Sequence, residues 1–254
     1  MRAAYPILEF DEDKKALIRP QDIITAIDIA EHCVLCFFSE AIAEILKEYK
    51  YQVVATIKSE SAKYPLYELG YQGKKIVLVQ AAVGAPMAAG LLEELVAYGC
   101  RKYLVCGSCG TLDKDLVVGH LVVPTAALRD EGTSYHYLKP AREVETKSEL
   151  VEKVCQGLSA AGLPHLKAKT WTTDAFYRET AKKVAQRKAE GCLTVEMEAA
   201  AFLAVAQYLG VGLAIILYSG DNLDGEKWEA RGFLDRYEIR KALLETSLDI
   251  CLSL

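Results

Sequence analysis

The chain has 254 residues, 52% of them hydrophobic and 26% charged. That balance fits a folded globular protein and excludes disorder and collagen-like or coiled-coil rods. A net charge of −5, from 30 Lys+Arg against 35 Asp+Glu, gives no basic surface for nucleic acid.

The opening segment, MRAAYPILEFDEDKK, turns acidic at Glu9, before any apolar run of signal-peptide length. No stretch nears the roughly 18 apolar residues of a membrane span. A soluble, cytoplasmic protein with reduced thiols is expected. Strand-like apolar runs at 33–38, 52–57, 75–82, 102–107, 120–124, 166–172 and 212–219 come first. They alternate with helix-like segments at 39–49, 86–98, 146–161, 179–190, 198–209 and 233–252. GKKI at 73–76 reads as a hairpin turn. The alternation predicts an α/β fold, a three-layer arrangement whose mixed, largely parallel sheet is flanked by helices. No linker, repeat or low-complexity stretch interrupts it, so 1–254 is expected to be a single domain.

Eight cysteines include two C-x-x-C pairs, Cys33/Cys36 and Cys106/Cys109. A zinc ribbon spaces its pairs by roughly 15–20 residues, whereas Cys36 and Cys106 are 70 positions apart. Their flanks, CVLCFF and YLVCG, read as buried strands in which small, soft side chains pack well. Core packing is therefore expected, with no metal and no cofactor.

Ligands in open α/β sheets sit at the carboxyl ends of the strands. Four such ends are chemically unusual. Val83-Gly84-Ala85-Pro86 leads into a helix. Gly107-Ser108-Cys109-Gly110 reads as a turn offering amides and a hydroxyl to an anion or polar ligand. Most glycine turns are only turns. In LTVEMEAAAFLAVA, at 193–206, Glu196 and Glu198 stand in an otherwise apolar run. Two apart, they share a side in extended backbone, with a helix expected to start near Met197 or Glu198. Buried carboxylates need partners. A distant arginine or a set of hydroxyls such as a sugar diol would serve; a purely structural acid at a helix N-terminus is the plainer reading. Asp221 directly follows the apolar strand at 212–217, a place for a general acid or for a turn aspartate. Beside these, Phe176 and Tyr177, followed by Arg178, can stack a planar ring or simply pack.

In this order the motifs resemble the nucleoside phosphorylase family, which includes uridine phosphorylase and the hexameric purine nucleoside phosphorylases. The resemblance runs over about residues 30–250 and is most specific at VEMEAA, 195–200. LRDEGTSYHY at 128–137 looks like the uridine side of the family, and Asp221 like the purine side. The resemblance implies that Glu198 holds the ribose hydroxyls with Met197 against the sugar, and that Glu196 supports them. It implies that Phe176 stacks on the base with Tyr177 beside it. Asp221 protonates a leaving purine with help from Arg231, or Arg178 contacts a pyrimidine. Ser108 and the amides of Gly84 and Gly107 touch phosphate. Nucleoside and inorganic phosphate are the implied small-molecule substrates, in a homo-oligomer, a dimer or a hexamer of three dimers.

The family's phosphate arginines are missing. Their places read Cys36-Phe37-Phe38-Ser39-Glu40 and Val105, and the region a neighbour would lend offers Lys58 and Lys63. The family's N-terminal histidine is also absent, His32 being the first. Phosphate held by Ser108, amides and Lys58, Lys63 or Arg129 is one expectation. Attack by water with a glutamate as base is a second, and a non-catalytic nucleoside-binding protein a third.

Overall fold

The computed structural model describes residues 3–254; residues 1 and 2 of the expected domain lie outside it. Ten strands form one sheet: β1 His32–Cys36, β2 Tyr51–Lys58, β3 Lys63–Tyr71, β4 Lys74–Gln80, β5 Lys102–Thr111, β6 Leu121–Asp130, β7 Glu143–Glu145, β8 His165–Thr173, β9 Cys192–Glu196 and β10 Gly212–Asn222. Seven helices accompany them: α1 Pro20–Ile23, α2 Ser39–Glu48, α3 Ala85–Tyr98, α4 Ser148–Ala160, α5 Ala181–Ala189, α6 Ala199–Leu209 and α7 Tyr237–Cys251.

The strand order is β10-β6-β8-β9-β5-β1-β4-β3-β2, and β10 also pairs with β5. Strands β5, β9, β8, β6 and β10 therefore close on themselves, and β1, β4, β3 and β2 extend from β5. The centre is parallel: β1 pairs in parallel with β4 and β5, and β5 with β10. The β2–β3–β4 edge is antiparallel.

Alternation along the central strands builds two cores, because successive side chains leave opposite faces. Cys33 and Leu35 of β1 join α3 and α6 in one layer. Val34 and Cys36 join α2, α4 and α7 in the other. Cys109 packs in the first layer and Cys106 in the second. Each C-x-x-C pair is thus split across the sheet and cannot close around one tetrahedral ion. All eight thiols are free and buried. Among the described residues no helix is long and apolar enough to cross a membrane.

The expected helices form close to their predicted places. The sheet departs more. The β3 strand was not anticipated, since Pro65 and Gly70 weaken its pattern. Pro65 pairs with β2 before the pairing to β4 begins at Tyr67, so its missing N–H interrupts no ladder on that side. The turn falls at Gln72 and Gly73, both at positive φ (48° and 73°), rather than at 73–76. That is the geometry a tight hairpin prefers. The β6 strand passes Pro124 to Asp130 through a register shift against β8 between Pro124 and Ala126.

Candidate active site

A cavity of about 870 Å³ opens at the carboxyl ends of the central strands. Its wall includes Ser108, Phe176, Tyr177, Glu196, Met197, Glu198 and Asp221 from the expected set. It also includes Glu40, Glu179, Trp228, Phe233 and Arg240, which were not anticipated as site residues.

Glu196 ends β9 and Glu198 is the residue before α6. Glu196 accepts hydrogen bonds from the amides of Glu198 (2.7 Å) and Ala199 (2.5 Å) and from the hydroxyls of Thr172 (2.6 Å) and Thr170 (3.4 Å). Its carboxylate caps the positive end of α6 and ties it to β8. Glu198 accepts from the amide of Gly84 at 2.6 Å, and the Met197 amide also acts on it. Gly84 sits at φ 92°, a conformation glycine adopts freely, just before α3. Burial, and after it the charge of Glu196, push the Glu198 carboxyl up to about 8. Glu196 is saturated by the fold. Glu198 has capacity left for hydroxyls in the cavity.

Phe176 and Tyr177 stand on a 3-10 turn after β8, with ring centroids 4.1 Å apart. Asp221, near the end of β10, accepts a hydrogen bond from Trp228 Nε1 at 2.6 Å. Beside it, burial and then the Asp221 charge push the Glu179 carboxyl up to about 7, against the pull of Lys183.

The other end of the cavity holds an arginine that replaces none of the expected ones in sequence. Arg240 donates to Glu40 (2.6 Å), the Tyr218 hydroxyl (3.0 Å) and the Phe233 carbonyl (2.9 Å), and lies over the Phe38 ring. The Ser108 hydroxyl faces Tyr218. Burial opposes the charge of Glu40, but the guanidinium outweighs it and holds the carboxyl below the ordinary range. One signal for Arg240 exists in the sequence. It falls in helical phase with Leu243, Leu244, Ser247, Leu248 and Cys251, the buried stripe of α7.

Several expectations change. Gly107-Ser108-Cys109-Gly110 is not a turn but the continuation of β5, held in register by β10 up to Ser219↔Cys109 and by β9 at Gly110. Small residues there admit neighbours closely: a Cβ on Gly107 would come within 2.9 Å of the Phe37 ring. Gly107 does not line the cavity, and the Gly84 amide is already given to Glu198. Arg231 lies off the cavity wall, bonded to Glu229 and the Leu116 carbonyl rather than to Asp221. Arg178 is also off the wall. Arg129 donates to Ser134 and to the carbonyls of Leu138 and Lys139. It stays away from the cavity.

The architecture and the carboxylate-bearing cavity define a class of protein, and comparison with known chains gives its family. Residues 31–252 match the model of the phosphorylase superfamily, and the chain belongs to that family. It is 32% identical over 168 residues to guanosine phosphorylase of Halorubrum lacusprofundi, which spans 65% of this chain and 68% of that one. Its fold is similar to purine nucleoside phosphorylase of Toxoplasma gondii (TM-score 0.76, 19% identity, 89% and 92% of the two chains). It is also similar to AMP nucleosidase of Bacteroides thetaiotaomicron (TM-score 0.74, 17% identity, 92% and 96%).

Proposed function

We propose that the chain cleaves the N-glycosidic bond of a purine nucleoside, with inorganic phosphate as the acceptor of the sugar. One observation carries the reading. A buried carboxyl with spare hydrogen-bonding capacity, Glu198, shares a cavity with an acidic and aromatic cluster at Asp221, Phe176 and Trp228. Such cleavage develops positive charge on the sugar and negative charge on the base. Carboxylates near the first and acids near the second lower its barrier.

Glu198 and Met197 hold the ribose, Glu196 fixes Glu198, and Phe176 and Tyr177 cover the base. The purine choice is supported by the fate of 128–137. Arg129, Glu131 and Ser134 bond one another or the backbone, and none lines the cavity. Phosphate is received beside Ser108 and Arg240. The reading includes a cytoplasmic homo-oligomer of single-domain chains acting in nucleoside salvage.

The Glu40–Arg240 pair favours a second reading. Among the described residues it neutralises the one guanidinium on the cavity wall, and a carboxylate beside the acceptor repels a dianion. Water would then attack. Base release from a panel of purine and pyrimidine nucleosides, with and without phosphate, tests both. Phosphorolysis predicts strict dependence on phosphate and a sugar 1-phosphate product. Turnover unchanged without phosphate contradicts it and establishes hydrolysis.

A further inference from the structure

The loop after β10 is built to bring an indole to Asp221. Asn222, the last residue of β10, exchanges backbone hydrogen bonds with Glu229 (2.9 and 3.0 Å). Its buried side chain donates to Glu229 Oε2 (3.1 Å) and accepts from the Asp224 amide (3.1 Å) and the Thr111 hydroxyl (3.2 Å). The loop is thus closed at a fixed point, one residue past Asp221 and one past Trp228. Trp228 Nε1 donates to Asp221 Oδ2 at 2.6 Å, and its ring meets Phe233 edge-on with centroids 6.5 Å apart. Both aromatics line the cavity. Arg231 goes elsewhere: it and Gly232 have positive φ (50° and 62°), and its guanidinium donates to the Leu116 carbonyl at 2.7 Å. Asp221 Oδ1 lies beside Gly110 of β5, where a Cβ would come within 3.4 Å of it. An indole N–H is a donor only, so it takes one oxygen of Asp221 and leaves the other to carry a proton.

We infer that Trp228 is the positioning residue of the base-protonating acid: its indole N–H holds Asp221 Oδ2, so that Oδ1 delivers the proton to the purine. The inference rests on the purine-nucleoside reading, with Asp221 as its acid, and gives Trp228 the task expected of Arg231. As the C1′–N9 bond breaks, its electron pair stays on the purine. The proton on Asp221 Oδ1 passes to N7, leaving a neutral base and an Asp221 carboxylate. The indole keeps its own proton, and its bond to Oδ2 strengthens as that oxygen gains negative charge. Trp228 therefore helps the transition state more than the bound substrate, an effect that appears in kcat rather than in KM. The acceptor's electron pair forms the new bond at C1′, and Asp221 regains a proton from solvent after the base departs.

Trp228→Phe keeps a ring against Phe233 and removes only the donor, and Trp228 is 60% exposed, so the core is untouched. The test compares inosine, whose base needs a proton to leave, with 7-methylinosine, whose methylated N7 lets the base leave neutral without one. Trp228→Phe should lower kcat on inosine about 10- to 100-fold with KM within about threefold, and leave 7-methylinosine within about threefold of wild type. In an Asp221→Ala background the same substitution should cost no more than about threefold further on inosine, because nothing is left to position. A kcat on inosine within about threefold of wild type in Trp228→Phe overturns the assignment. Equal losses on the two nucleosides overturn it too, as the mark of a structural role, and so does a full further loss in the Asp221→Ala background. If wild type releases base from neither nucleoside, the cleavage reading fails and this inference falls with it. Turnover by wild type without the Trp228 effects leaves that reading standing and sinks this inference alone.

Discussion

Glu196 and Glu198 are two residues apart, yet they do different work because their partners differ. Glu196 meets four donors, while Glu198 meets fewer, chiefly the Gly84 amide, and carries a carboxyl pushed up to about 8. The sequence shows the pair as two acids in an apolar run, but not which of them the fold consumes. That depends on Thr170 and Thr172, far along the chain on a neighbouring strand. A stability consequence follows. Glu198 and Glu179 have folded-state values above those of an unfolded chain, so the native state binds more protons. Their stabilising effect is complete below the ordinary carboxylate range and is lost as pH rises through about 7 to 8. The ligand-free protein should therefore melt at a lower temperature near pH 8 than near about pH 5. Glu198→Gln should flatten that slope in a thermal melt, and an equal slope in the variant would refute the linkage.

At the scale of elements, the site hangs on two helix starts and one long-range pair. Removing the Glu196 cap leaves buried donors unpaired at the head of α6, a loss of about 1–3 kcal/mol. Glu196→Ala should thus lower the melting temperature clearly, whereas Glu198→Gln should not. Arg240 of α7 meets Glu40 of α2, residues 200 positions apart, which no local pattern announces. Its phase within the apolar stripe of α7 was the only trace. If phosphate is the acceptor, Glu40→Gln should lower the KM for phosphate, and Arg240→Met should raise it with little change in the nucleoside KM. Shifts of the opposite sign would remove Arg240 from the acceptor site. Elsewhere, periodicity placed the helices and the parallel centre well, because burial on one or both faces writes itself into sequence. It failed at β3, at the far half of β6 and at the strand through Gly107–Gly110. In each, proline or glycine signalled a stop while neighbouring strands supplied the pairing.

For the whole molecule, closure of β5, β9, β8, β6 and β10 gathers strand ends from distant parts of the chain around one cavity. Val83, Phe176, Tyr177 and Trp228 stand at its wall 70%, 49%, 89% and 60% exposed. An apolar rim of that kind favours cover by a second copy, as the homo-oligomer reading requires. Sedimentation should then give a species heavier than the 28.0 kDa chain, and Tyr177→Asp should shift it toward monomer. A wild-type monomer would contradict the assembly while leaving the cavity chemistry standing. The chemistry itself is tested most directly by following hypoxanthine released from inosine, in the presence of phosphate, by wild type and by Glu198→Gln. The account predicts steady turnover by wild type and a loss of about 100-fold or more in the variant. No release by wild type, or equal rates in the two proteins, would contradict it.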